Sequence, residues 1–154
     1  MAGILFTDER MVLAGCRSNG VITGIGGKKK NDETPYKTAV RESLEEIFEL
    51  KVIPEELLAD VYGKINSYNV VSGAYTIFLC TFCDLKEIID IVRSYDVTSA
   101  VYDELPRSME DLLLNRHPSD KSEFSHLVLL PYFCNTRIEN YFLKDIKMFL
   151  NTIP

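Results

Sequence analysis

The sequence predicts an α/β fold, a sheet packed between helices. Three observations carry this. Residues 74–83, AYTIFLCTFC, are nearly continuously apolar and rich in Tyr, Ile, Phe and Thr, as in an interior strand. Residues 138–150 place apolar side chains at 138, 142, 143, 146, 149 and 150, the period of an amphipathic helix. Strand-like and helix-like stretches alternate along the chain, which favours layers of both kinds around one core.

In chain order, Gly3–Phe6 is a short apolar strand, Thr7–Arg10 a polar turn and Met11–Cys16 a second apolar run, together a hairpin. Ser18–Gly20 is a turn and Val21–Thr23 a short strand. Thr34 and Pro35 open a helix: the threonine hydroxyl can cap the first turn and proline suits the first helical position. Lys51–Ile53, ahead of Pro54, is extended. A strand is expected near Asp60–Ile65, a turn region over Asn66–Gly73, and a strand over Ala74–Cys83. Leu85–Val92 has helical spacing, Ser99–Tyr102 is a short strand, Ser108 caps a helix through Asn115, and Leu127–Leu130 is a strand ending at Pro131.

At 154 residues the chain is expected to form one domain. Its 46% hydrophobic content can fill a core, and its net charge of −6 argues against general coating of nucleic acid, which needs a basic surface. No run of 18 apolar residues suggests a membrane span, and the first ten residues lack the basic and apolar regions of a signal peptide. Cys16, Cys80, Cys83 and Cys134 read as buried free thiols, so the expected compartment is reducing and cytoplasmic. Cys80 and Cys83 have CxxC spacing, but on a strand they point to opposite faces and could not share a zinc ion without a bulge.

The chemistry concentrates in residues 26–46, GGKKKNDETPYKTAVRESLEE. At about 100° per residue from Val40, Leu44 falls at roughly 40° and Ile47 at roughly 340°, an apolar stripe. Glu45, Glu42 and Glu46 fall at roughly 140°, 200° and 240°, on the opposite side. Such crowding destabilises a bare helix by about 0.2–0.5 kcal/mol per like-charged pair. Arg41 can offset part of it at i, i+4 to Glu45, and a hard divalent cation can offset more. Lys28, Lys29 and Lys30 form a local basic patch, with Lys29 and Lys30 read as a solvated turn.

The stretch resembles the signature of the Nudix hydrolase family. Gly27 is followed by five residues and Glu33, then seven residues and Arg41-Glu42, with Glu45-Glu46 at the family's distance. VYDELP at Val101–Pro106 is a second, weaker resemblance. Three positions depart from the pattern: Ser43 and Glu49 stand where aliphatics are usual, and Phe48 where glycine lets the chain leave the helix through a left-handed turn. With Phe48 the helix should run on or leave by a different turn. Some divergent members, including decapping enzymes of large DNA viruses, also lack that glycine, so the resemblance is to a divergent branch of the family, one that includes viral members.

The resemblance implies a Nudix-type α/β/α sandwich with a central mixed β-sheet. It implies hydrolysis of a pyrophosphate bond in a nucleoside diphosphate linked to another group, with Mg²⁺ or Mn²⁺ held by Glu42, Glu45, Glu46 and the Gly26 carbonyl. Glu33 and Arg41 match the family's structural pair, whereas helix geometry alone pairs Arg41 with Glu45. Lys28, beside Gly27, is placed as a phosphate-binding or helix-pairing lysine. The base that activates water is one of these acids or a glutamate elsewhere, Glu104 or Glu123. Asn135 is either a base-reading residue or a turn and helix-cap residue. Phe6, Tyr75, Phe78 and Phe133 can stack on a base or fill the core, and His117 and His126 read as structural or exposed.

Three functions follow as expectations. The first is a pyrophosphohydrolase of nucleoside triphosphates, dinucleoside polyphosphates or nucleotide sugars. The second is an mRNA 5′-cap hydrolase, which alone would bring RNA as a partner and which the acidic charge disfavours. The third is a non-catalytic nucleotide- or peptide-binding module. Many family members are dimers, which leaves a homodimer open.

Overall fold

The computed structural model describes residues 1–8, 10–65, 68–72, 74–131, 138 and 140–152. Among these, seven strands form one mixed sheet. Strand β1, Ala2–Thr7, is buried at every position, which explains its unbroken apolarity from Ala2 to Phe6. It pairs in parallel with β6, Tyr75–Thr81, from Ala2↔Thr76 to Thr7↔Thr81. Along the other edge it pairs antiparallel with β4, Ile25–Gly27.

The expected hairpin forms at its turn only. The Asp8 carboxylate accepts from the amides of Arg10 and Met11 at 2.7 Å each, and β1 meets β2, Met11–Cys16, at Thr7↔Val12. From there the strands part. β2 pairs along its whole length with β7, His126–Pro131, and at its far end with β3, Ile22–Thr23.

The two faces of the sheet carry two cores. Ala2, Ile4 and Phe6 face a large cluster with Val40, Leu44, Ile47, Phe48, Leu57, Val61, Leu85 and Ile89. Leu5, Val12 and Ala14 face a smaller one with Ile77, Leu79, Phe142 and Ile146. These residues place helices α1 (Pro35–Ser43), α2 (Glu55–Lys64), α3 (Phe82–Arg93) and α4 (Met109–Leu114) over one face and α5 (Asn140–Thr152) over the other. The architecture is therefore α/β/α with a central mixed sheet.

Several elements differ from the sequence expectations. Asp60–Ile65 is not a strand but the end of α2 and its cap. Leu57 and Val61 are buried one turn apart, Glu55 and Glu56 occupy the first turn and Lys64 the last, each sign favourable to the helix dipole. The expected turn over Asn66–Gly73 contains β5, Tyr68–Ser72, antiparallel to β6. The strand expected to reach Cys83 ends at Thr81, where a reciprocal cap with Asp84 starts α3. Cys80 is thus buried on a strand and Cys83 exposed on a helix, so the pair shares no site and not every thiol is buried. Ser99–Tyr102 makes only one bridge, Leu50↔Ser99, rather than a strand. Ser108 caps α4 as expected. Ile138 bridges Ile22 ahead of α5. Phe6 is core, at 0% exposure, and Phe78 packs on Tyr36 with ring centroids 5.1 Å apart. Phe133, Cys134 and Asn135 lie outside the described residues. No helix among the described residues is long and apolar enough to cross a membrane.

Helix α1 begins as its sequence dictates. The Thr34 hydroxyl accepts from the Lys37 amide at 3.2 Å, and Pro35 occupies the first turn. Removing that cap with Thr34→Ala should cost about 1 kcal/mol, read as a shift in the urea midpoint at unchanged slope. An unchanged midpoint would show that the bond contributes nothing.

The helix leaves by a route the sequence did not specify. After Ser43 it widens into a π-helical turn, Leu44–Phe48, and Glu49 takes the left-handed conformation at φ 46° and ψ 52°. The wider turn takes up one residue. Phe48 is driven fully into the core, and the left-handed position falls on Glu49 instead. Ser43, buried in place of an aliphatic, donates its hydroxyl to the Ala39 carbonyl at 2.8 Å. That satisfies the hydroxyl and perturbs the helix where it changes pitch.

Candidate active site

The apolar stripe of α1 and its π turn is buried as expected, with Val40, Leu44 and Ile47 at 1% exposure or less. The acids lie on the other side but differ in environment. Glu45 is the most open, at 35% side-chain exposure, Glu42 stands at 14%, and Glu46 is buried.

Arg41 joins both pairings expected of it. Its Nε donates to Glu33 Oε1 at 2.7 Å and its Nη2 to Glu33 Oε2 at 3.1 Å, a two-pronged contact. Nη1 donates to Glu42 at 2.9 Å and to Glu45 at 2.8 Å, and Nη2 also donates to the Lys28 carbonyl at 2.8 Å. One guanidinium therefore ties the glycine-lysine loop to the helix and spaces the acids. The Arg41 hydrogen bond holds the Glu33 carboxyl down at about 2. Burial works against the Arg41 charge, yet its bonds to Glu33 and Glu42 leave its pKa raised.

The glycines make room for this arrangement. A Cβ on Gly27 would stand 2.5–2.7 Å from the Glu42 carboxylate. Gly26, at φ 153°, donates its amide to Glu46 Oε2 at 2.8 Å, and a Cβ there would strike the backbone of β1. Lys28 is exposed and meets the network through its backbone. Lys30 is not merely solvated: its ammonium lies 3.1 Å from Glu45.

Glu42, Glu45 and Glu46 line a cleft of about 210 Å³ together with Glu49, Lys121 and Glu123. Of the two glutamates considered outside the helix, Glu123 reaches the cleft. Glu104 is exposed in the segment after Tyr102 and is not part of the lining. Burial first, then the charge of Glu123, push the Glu46 carboxyl up to about 9. Burial also raises Glu42. His117 and His126 are both exposed.

Five carboxylates with one lysine suit a hard divalent cation by donor chemistry, and the space that Gly27 leaves beside Glu42 keeps that carboxylate free of a steric lid. Among the described residues, no three His, Cys, Asp or Glu side chains are gathered as a ready ligand set. Glu42 and Glu45 each lend an oxygen to Arg41, so a cation would compete with that guanidinium.

Three members of this constellation have no sequence signature. Glu49 stands where an aliphatic was expected and enters the cleft through its left-handed backbone. Lys121 and Arg116, whose guanidinium donates to the Ile47 and Glu46 carbonyls behind the cleft, come from a polar segment far along the chain, where no periodicity or fixed spacing marks them. Only the run of charges around Glu123 hints at that wall of the cleft.

No family model matches the chain, and no curated protein matches its sequence. Among solved structures, the chain is similar to the solution structure of the E. coli ORF135 protein. The identity is 14%, covering 97% of this chain and 86% of that one, at a TM-score of 0.44. It is also similar to a crystal structure of a Nudix-family hydrolase from Clostridium perfringens. There the identity is 14%, covering 99% and 96%, at a TM-score of 0.45.

Proposed function

We propose that this chain is a Nudix-type, Mg²⁺- or Mn²⁺-dependent hydrolase of the pyrophosphate bond in a nucleoside diphosphate linked to another group. The observation that carries the reading is the cleft in which Glu42, Glu45, Glu46, Glu49 and Glu123 face Lys121, beside the Glu33–Arg41 pair and Gly27. An acidic cleft repels a polyphosphate unless cations lie between them, and clustered carboxylates are how a protein holds such cations.

Glu42, Glu45 and Glu46, with the Gly26 carbonyl, are the residues that would hold the cation. When bound, it neutralises charge on the phosphoryl oxygens and lowers the pKa of water. Arg41 keeps Glu42 and Glu45 at fixed separation and holds the glycine-lysine loop against the helix. Lys121 and Lys28 supply positive charge for phosphate oxygens. The proton of the attacking water goes to one of the acids lining the cleft, and of Glu104 and Glu123 it is Glu123 that stands among them.

The test is product formation from a panel of nucleoside triphosphates, dinucleoside polyphosphates, nucleotide sugars and capped RNA, with each metal. At least one member should be cleaved, and Glu45→Gln should lower kcat about 100-fold, the upper end of what removing even a residue behind a metal ligand costs. No turnover of any member with either metal sinks the hydrolase reading. Nucleotide binding without turnover favours the non-catalytic module instead.

A further inference from the structure

We propose that Arg116 is a positioning residue that locks the two walls of this cleft together, an inference that rests on the hydrolase reading. The acid helix ends in a turn whose last carbonyls have no intrahelical partner. The rest of the chain satisfies them. Arg116 Nη1 donates to the Ile47 carbonyl at 2.6 Å and Nη2 to the Glu46 carbonyl at 3.1 Å. The Ser99 hydroxyl donates to the Phe48 carbonyl at 2.5 Å, and the Ala100 amide to the Glu49 carbonyl at 2.9 Å. A planar fork suits two successive carbonyls, whereas an ammonium is a single point of charge.

The arginine is held rigidly for this task. Its side chain is 2% exposed, and its guanidinium lies 5.6 Å from the ring centroid of Tyr102. The Tyr102 hydroxyl in turn donates to the Leu112 carbonyl at 2.6 Å. Among the described residues, Arg116 Nε is the one buried side-chain polar atom without a partner. That orphan costs about 1–3 kcal/mol, which the bonds from Nη1 and Nη2 to the two carbonyls offset.

What links the contact to function is what lies at each end. The carbonyls belong to the turn that carries Glu46 and Glu49. Arg116 Nη2 also lies 3.5 Å from Glu49 Oε2, and Glu49 Oε1 accepts from the Ser122 hydroxyl at 3.2 Å. Ser122 sits between Lys121 and Glu123, the residues of the opposite wall. Just beyond them, Phe124 is fully buried against Gly15, where a Cβ would stand 2.5 Å from its ring. The loop is thus pinned at Arg116 and at Phe124, and Lys121 and Glu123 are carried between the pins.

The experiment compares Arg116→Met and Arg116→Lys with wild type. Three quantities are read: Mn²⁺ affinity without nucleotide by electron paramagnetic resonance, kcat and KM separately, and amide hydrogen exchange without metal. In Arg116→Met, Mn²⁺ affinity and kcat should each fall about 10–100-fold, the range seen when residues behind metal ligands are removed, with KM little changed. Exchange should quicken together in residues 45–49 and 119–123. Arg116→Lys should recover part of each. Wild-type Mn²⁺ affinity and kcat in a folded Arg116→Met, with only its melting temperature lowered, would overturn the proposal. If that variant does not fold, Arg116→Lys decides, since it should lose at least threefold in affinity and kcat, and no loss overturns the proposal. A wild type that neither binds Mn²⁺ nor turns over fails the hydrolase reading instead. Exchange then judges the link alone, and quickening confined to 45–49 overturns it.

Discussion

Arg41→Met is expected to lower folding stability by about 3–5 kcal/mol, the usual result of removing one partner from a buried charged network. Four acceptors lose their donor at once: Glu33, Glu42, Glu45 and the Lys28 carbonyl. Glu42 suffers most, being partly buried and already raised by burial, and among the described residues it would be left with no cation in hydrogen-bond contact. For a chain of this length that loss corresponds to a melting temperature lower by roughly 10 °C. The pH dependence should change with it. Glu33 has a folded pKa depressed to about 2 from 4.5, so its contribution is fully present above pH 4.5 and disappears as pH falls towards 2. Since the largest cause is the Arg41 hydrogen bond, the variant should lose most of that acid limb. Melting curves at pH 7 and pH 3 check both statements. A decrease under about 3 °C at pH 7, or an acid limb like that of wild type, would show that Arg41 does not hold this network together.

How far the sequence reached depended on the range of the interactions involved. Thr34, Pro35 and the Val40–Leu44–Ile47 stripe were legible because a cap and a helical period are set by residues within a turn or two. The exit was not. Whether Phe48 extends the helix or is taken into the core depends on how the turn meets Arg116, Ser99 and Ala100, at least fifty residues away. The same applies to the reading of Asp60–Ile65 as a strand. Its residues are mixed in character, and only packing of Leu57 and Val61 under the sheet makes the helical period decisive. β5 was missed because Asn66 and Gly73 bracket it as turn residues, while what makes Tyr68–Ser72 a strand is its pairing with β6. Within the site, residues 26–46 were readable as a motif of fixed spacing. Glu49, Arg116 and Lys121 were not, since each takes its place only when the loop after α4 closes over the π turn.

Glu46 should set the sharpest opposition between stability and activity. Burial first, and then Glu123, raise its folded pKa to about 9 from 4.5. A carboxyl raised on folding binds its proton more tightly in the folded state. It therefore imposes no penalty below pH 4.5, and an increasing one as pH climbs towards 9. At about 1.4 kcal/mol per pK unit the ceiling is about 6 kcal/mol, and solvent entry will reduce it to a few. In metal-free protein, Glu46→Gln should leave stability unchanged at pH 4.5 and raise the melting temperature at pH 8 by roughly 5–10 °C. The amide oxygen can still accept from Gly26, so that contact is kept in the exchange. Wild type should gain most of the same increase at pH 8 when Mn²⁺ is added, because a cation relieves the charge that the proton otherwise must. The variant should gain much less and should turn over about 100-fold more slowly. Melting temperatures over pH 4.5–9, with chelator and with Mn²⁺, distinguish the outcomes. A glutamine variant less stable than wild type at pH 8 would mean that Glu46 is satisfied without a cation, and the metal assignment would then have to move to Glu42 and Glu45.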